Sequence, residues 1–323
     1  DWARTDLLHP NPNGTSNLYF SYSEFAYFDI YIVGRAGARE EWASFKVPGV
    51  DVERDILAEV EALREKMTPE AEHKLVENII VKTQGFVSGN IREDDEKPVE
   101  LFRQLLSLYD GITKEQLREN MKYFLSAIMP VCEECGMNMC VHPDDPPFPI
   151  LGLPRIINCD ADVLWFLNAV PNVHNGLTFC AGSLSAGGHN DITELAKKYH
   201  DRTHFVHLRS CYIFPNGDFT EASHLGGRAD IIELTRIFEQ EEQRRIAERK
   251  DSDAAKANGR TSEKLRLPMR VDHGMTMLGD ESKGYNAGYS FLGRMFALGQ
   301  VQGIMAAVDR ELGIEFTQPG FFG

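Results

Sequence analysis

The chain of 323 residues carries 49 acidic against 34 basic side chains, a formal net charge of −15. That balance argues against a general nucleic-acid or anionic-membrane surface, which needs a basic face, but leaves room for a small anion held by a few arginines or a metal. With 42% hydrophobic and 26% charged residues the composition is that of a globular protein, and no apolar run is expected to reach the length of a membrane span.

The first fifty residues read as loop-rich and aromatic around "YFSYSEFAYFDIYIV". Helical patterns follow at 52–67, 69–83 and 98–110, and a fourth runs from Thr113 to Glu134. Thr113 and Gln116 have the spacing of a capping box, and Gly136 suits the stop. Cys132 and Cys135 close the helical pattern "LRENMKYFLSAIMPVCEECG", with no second CxxC pair nearby. They read as ordinary helix cysteines, and all six cysteines read as reduced thiols.

After Gly136 the pattern changes. Short apolar runs end at 142, 183, 210 and 274, and helical patterns begin near 160, 191, 229 and 289. This alternation predicts βα units around a parallel sheet with apolar strands, covered on both faces. The stretch 246–266 reads as a helix tail and an exposed charged loop. The division expected is a loop-rich, helical region over 1–137 and the site-bearing βα units over 138–323, one domain overall.

Each of the four apolar runs carries a potential metal ligand near its end: His142, Cys180, His207 and Asp272, separated by 38, 27 and 65 residues. Singly, these read as a hydrogen-bonded core histidine, a small buried thiol or an N-cap. Four at equivalent places, on strands whose C-terminal ends converge, point to one site. Imidazole, thiolate and carboxylate suit a divalent transition metal. Nearby, His273, Tyr285 and Tyr289 offer proton-transfer groups, and Arg209 could clamp a carboxylate or pair with a protein acid. "MCVHPDDPP" is a proline-stiffened loop. Its Asp144 and Asp145 are read as orienting His142, with substrate binding or turn capping as the alternatives. No GxGxxG follows a strand, so no nicotinamide site is expected.

The stretches "DWARTDL", "QLRENMKYFLSAIMPVCEECG", "HPDDPPFPILGLPR", "TFCAGS", "HLRS", "EASHLGG", "MRVDHG" and "GYSFLGR", in this order, resemble the mannonate dehydratase family over essentially the whole chain. The resemblance implies an α/β fold, a TIM-like (β/α) barrel with an inserted helical region, here lacking the N-terminal βα units. It implies cytoplasmic dehydration of D-mannonate to 2-keto-3-deoxy-D-gluconate in hexuronate catabolism, by a homo-oligomer such as a dimer. Mn²⁺ or Fe²⁺ would be held by His142, Cys180, His207 and Asp272. His273 and Tyr289 would exchange protons, and Arg209 would face the substrate carboxylate. A metal-dependent sugar or sugar-acid isomerase, or a non-catalytic carbohydrate-binding fragment, are the competing expectations.

Overall fold

A computed structural model describes residues 3–85, 91, 95–250 and 266–314. Eight strands are present among the described residues: β1 (Asp6–Pro10), β2 (Ser16–Phe20), β3 (Met139–Val141), β4 (Asn175–Cys180), β5 (Thr203–His207), β6 (Cys211–Ile213), β7 (Phe219–Glu221) and β8 (Met269–Arg270). They form two four-stranded sheets, one antiparallel in the order β1-β2-β7-β6 and one parallel in the order β3-β4-β5-β8. Among the described residues the parallel sheet is open and no barrel closes.

The four expected parallel strands are all present, and their register explains the site. Cys180 pairs with His207, and His207 with Arg270. Side chains alternate across a strand, so these three share one face, and Asp272 follows Arg270 by two residues. The opposite face presents Met139, Val141, Leu177, Phe179, Val206 and Met269 to the helices. The strands are therefore apolar on the helix side and carry chemistry on the other, which corrects the expectation of strands apolar on both faces. Phe166, Phe179 and Phe238 are fully buried on the helix side, each worth about 1.5–3 kcal/mol.

The helix Lys114–Cys135 begins where the capping box places it, with Thr113 Oγ1 accepting from the Gln116 N–H, and ends at Gly136 in the left-handed conformation, φ +58°. It lays Leu125, Met129 and Cys132 onto the parallel-sheet core. A second core gathers Phe20, Phe25, Phe28 and Trp42 with Phe148, Cys211 and Phe219. Both cores draw side chains from either side of residue 137, and β2 pairs with β7.

Two expectations change. The first fifty residues contribute two strands, and residues 211–221 two more. The helix Phe291–Leu312 is long and apolar enough, by length and composition, to cross a membrane, with mean hydropathy 1.3. Arg294 and its glycines dilute the run in the sequence. Ala297, Val301, Ile304 and Val308, spaced for one helical face, enter the core, while Phe291, Leu292, Met295 and Phe296 are exposed. Most of the expected loop at 246–266 lies outside the described residues.

Candidate metal centre

His142 follows β3, Cys180 ends β4, His207 ends β5 and Asp272 lies two residues beyond β8. One potential ligand atom from each lies within 4.8 Å of all the others. The sequence-predicted quartet is thus brought together, with His142 at the exposed rim and the other three buried.

Local structure aims each ligand. His142 Nδ1 lies 2.7 Å from the Pro143 carbonyl oxygen. A proton on Nδ1 donated there leaves Nε2 with the lone pair. Cys180 Sγ accepts from the Ser183 N–H at 3.4 Å and the Ser183 hydroxyl at 3.2 Å, and Arg209 Nη2 lies 3.5 Å away. Burial raises the pKa of the Cys180 thiol, but the charges of Arg209 and His142 outweigh it and hold the group well below the ordinary thiol range. His207 Nδ1 is 3.4 Å from Asp272 Oδ2, yet neither buried ring nitrogen has a well-formed hydrogen bond. Burial opposes a charge on His207, but Asp272 and Cys180 prevail and raise its pKa to about 9. Asp272 has φ +47°, a left-handed conformation rare outside glycine and concentrated at functional sites. Its pKa is lowered well below the usual value, against burial, by His273, His207 and Arg209. Two imidazoles, a thiolate and a carboxylate, with one imidazole lacking a formed partner, fit a divalent metal.

Arg209 has a different place from the one expected. Its side chain is 1% exposed. Nη1 donates to Glu221 Oε1 at 2.7 Å and lies 2.9 Å from His273 Nδ1. Nη2 donates to Asp145 Oδ2 at 2.6 Å and Ser183 Oγ at 2.8 Å, and Nε lies 3.3 Å from Asp272 Oδ2. Nη1 and Nη2 are committed to protein groups and Nε, though close to Asp272, forms no hydrogen bond, so the buried guanidinium is held by protein acids rather than open to a substrate carboxylate. Gly182 makes room for this: a Cβ there would collide with the Arg209 side chain.

Asp145 is buried, accepting from Arg209 and from Arg4 Nη1 at 3.0 Å, with the Ser183 hydroxyl, which lies between it and Cys180, 3.1 Å away. It orders the surroundings of Cys180 rather than orienting His142. Asp144 takes the turn-capping alternative, its Oδ2 accepting from the N–H groups of Ile156 and Ile157 at 3.0 and 2.8 Å. Arg4 and Glu221, both with fully buried side chains 2.7 Å apart, complete the network and received no role from the sequence. Their only signal was membership of "DWARTDL" and "EASHLGG". Burial raises the Glu221 pKa, but Arg209, His273 and Arg4 bring it down to about 2.

His273 Nε2 is 3.9 Å from Asp272 Oδ1, and the ring meets Tyr289 edge-on at 5.1 Å. Its Nδ1 faces both Arg209 Nη1 at 2.9 Å and Glu221 Oε1 at 3.8 Å, so either ring nitrogen can carry the proton. Tyr289 Oη is 3.3 Å from Asp272 Oδ1. Burial, then the Asp272 charge, push its pKa up to about 12, so the phenol holds its proton near neutrality. A cavity of about 300 Å³ opens beside Tyr289, lined also by Tyr285, Asn286, Ser290 and Thr276.

The family model described as D-mannonate dehydratase (UxuA) matches residues 1–315. The chain is 37% identical over 318 residues to the mannonate dehydratase of Marinomonas sp., covering 98% of this chain and 72% of that one. It is 34% identical over 311 residues to that of Chromohalobacter salexigens, covering 96% and 72%. The crystal structure of mannonate dehydratase from Streptococcus suis serotype 2 superposes with a TM-score of 0.60 at 25% identity, covering 100% of this chain and 66% of that one. The chain thus spans roughly two thirds to three quarters of these relatives' lengths, and with the family model matched from end to end of the βα region it belongs to the D-mannonate dehydratase family.

Proposed function

We propose that the chain carries the catalytic centre for dehydrating D-mannonate to 2-keto-3-deoxy-D-gluconate and water, a lyase reaction of hexuronate catabolism. The observation that carries this reading is the convergence of His142, Cys180, His207 and Asp272 beside His273 and Tyr289. The four ligands would hold Mn²⁺ or Fe²⁺. Bound there, the cation supplies Lewis-acid stabilisation of the charge that develops on substrate oxygens as the proton on C2 leaves.

The protein's own groups set up the second half of the reaction. Dehydration needs a proton for the departing C3 hydroxyl. Tyr289, neutral near pH 7 with its pKa about 12, offers one from Oη. The C2 proton needs a base, and His273 takes it on Nε2 in the tautomer whose Nδ1 proton faces Glu221 Oε1. The C3 hydroxyl, protonated by Tyr289, leaves as water, and the proton gained by His273 restores Tyr289. The buried cluster of Arg4, Arg209, Asp145 and Glu221 holds these groups in place.

The wider reading follows the same family. The four parallel strands are taken as part of a TIM-like (β/α) barrel, supported by ligands at their C-terminal ends. Residues 138–323 are taken as its site-bearing units, with 1–137 packed on them in one domain. The exposed side chains of the helix Phe291–Leu312 support a homo-oligomer such as a dimer, and six free cysteines support the cytoplasm.

Incubation with D-mannonate and Mn²⁺ or Fe²⁺ tests the reaction. A 2-keto-3-deoxy product positive in the periodate–thiobarbiturate assay is expected. An epimeric aldonate retaining all its hydroxyls would mean isomerisation, and binding without turnover would mean a non-catalytic role.

A further inference from the structure

With Arg209 committed to protein acids, the site needs another cation to hold a sugar acid's carboxylate. Two arginines in the motifs "MRVDHG" and "GYSFLGR" stand where such a group is required. Arg270 ends β8 and pairs in register with His207, so its side chain lies on the ligand-bearing face. Nη2 donates to Asp272 Oδ1 at 2.9 Å and lies 3.4 Å from Tyr289 Oη. Its side chain is 39% exposed, against 1% for Arg209. Arg270 therefore sits at the mouth and Arg209 in the wall.

Arg294 lies in the first turn of the helix Phe291–Leu312, its guanidinium 5.6 Å from the centroid of the Tyr289 ring. Its Nη1 is buried without a hydrogen-bond partner. A buried guanidinium N–H lacking an acceptor is costly until one arrives. Burial, and then the neighbouring Arg270 charge, lower the Arg294 pKa. The two cations thus converge on one phenol from different elements.

Charge balance points the same way. Arg4 and Arg209 are neutralised by Asp145 and Glu221. A divalent cation would be neutralised by the Cys180 thiolate and Asp272. That leaves Arg270 and Arg294 in surplus, since Asp272 is their shared acidic neighbour among the described residues and belongs to the metal cluster. A carboxylate placed beside Tyr289 would offset one of these two charges.

We propose that Arg270 and Arg294 form the carboxylate anchor of the site, gripping C1 of the sugar acid and selecting the acid over its neutral counterpart. This rests on the dehydratase reading given above. Planar guanidinium groups match a carboxylate through paired N–H donors, and an anchor beside Tyr289 would set the adjoining carbons at the proton-transfer groups.

The test is calorimetric titration of the Mn²⁺-loaded protein with 3-deoxy-D-mannonate, which has no C3 hydroxyl to lose and so is not turned over, and with its amide, which keeps every other hydroxyl and loses the charge. The wild type should prefer the acid. Arg270→Gln and Arg294→Gln should each weaken the acid by about tenfold or more while changing the amide by less than about threefold. The double variant should lose the preference, with metal content by mass spectrometry retained in Arg294→Gln. Should the glutamine variants fail to fold, Arg270→Lys and Arg294→Lys keep the charge and lose the fork, and a loss of about threefold or more specific to the acid is expected. A double variant that still prefers the acid as the wild type does overturns the anchor and leaves the dehydratase reading standing. A wild type that binds neither ligand overturns both.

Discussion

The parallel and antiparallel sheets meet at one charged cluster and contribute to it differently. The parallel sheet β3-β4-β5-β8 delivers the candidate ligands, because the C-terminal ends of its strands point the same way. The antiparallel sheet β1-β2-β7-β6 delivers counter-charges: Arg4 precedes β1, Glu221 ends β7, and Arg209 lies between β5 and β6. The ligands are thus aimed by one sheet and held by the other. The N-terminal region is part of the site's support, although no metal ligand comes from it.

Four perturbations break or sharpen that contrast. On the parallel-sheet side, Cys180→Ser replaces a thiolate by a poorer ligand. Metal affinity should fall on the order of 100–1,000-fold, one ligand's share of the roughly 10–16 kcal/mol gained at structural sites, as read by competition with a chelator. Wild-type metal content and activity in this variant would remove Cys180 from the ligand set. Tyr289→Phe should keep the metal and lower kcat by about 100-fold or more, and an unchanged kcat would remove Tyr289 from the mechanism.

On the antiparallel-sheet side, Arg4→Met leaves two buried carboxylates sharing Arg209. Unfolding free energy should drop by about 3 kcal/mol and metal affinity by about tenfold, although residue 4 is no ligand. If denaturant melts show the first effect and metal titration shows no second one, the two sheets are not coupled through this cluster. The smallest effect belongs to Asp144→Ala, which frees the N–H groups of Ile156 and Ile157. It should cost about 1–2 kcal/mol and leave metal content unchanged.

Glu221 gives the supporting sheet a pH signature. Its folded pKa, about 2, lies below the ordinary 4.5. The stability it contributes is therefore fully present above pH 4.5 and is lost as pH falls toward 2. Glu221→Gln should flatten that acid limb in urea melts, and an unaltered limb would place the acid sensitivity elsewhere.

What the sequence revealed and hid follows from distance along the chain. His142, Cys180, His207 and Asp272 were legible because each closes a short apolar run, and parallel strands bring such ends together. Arg4 pairs with partners 141 and 217 residues away, and no local pattern announces that. Arg209 was visible as an arginine after a strand, but the sequence looks the same whether it faces substrate or buried acids. Strands β6 and β7, three residues each, are too short for alternation to register. The helix starting at Lys114 was legible to its caps because Thr113, Gln116 and Gly136 act locally.

The most direct test of the central claim, one metal centre built from four strand ends, is X-ray absorption on the Zn²⁺-loaded protein. The expected shell contains one sulfur at about 2.3 Å with nitrogen and oxygen at about 2.0–2.2 Å, one metal per chain, and the sulfur lost in Cys180→Ser. A stoichiometric shell without sulfur, or one unchanged in that variant, would contradict the account.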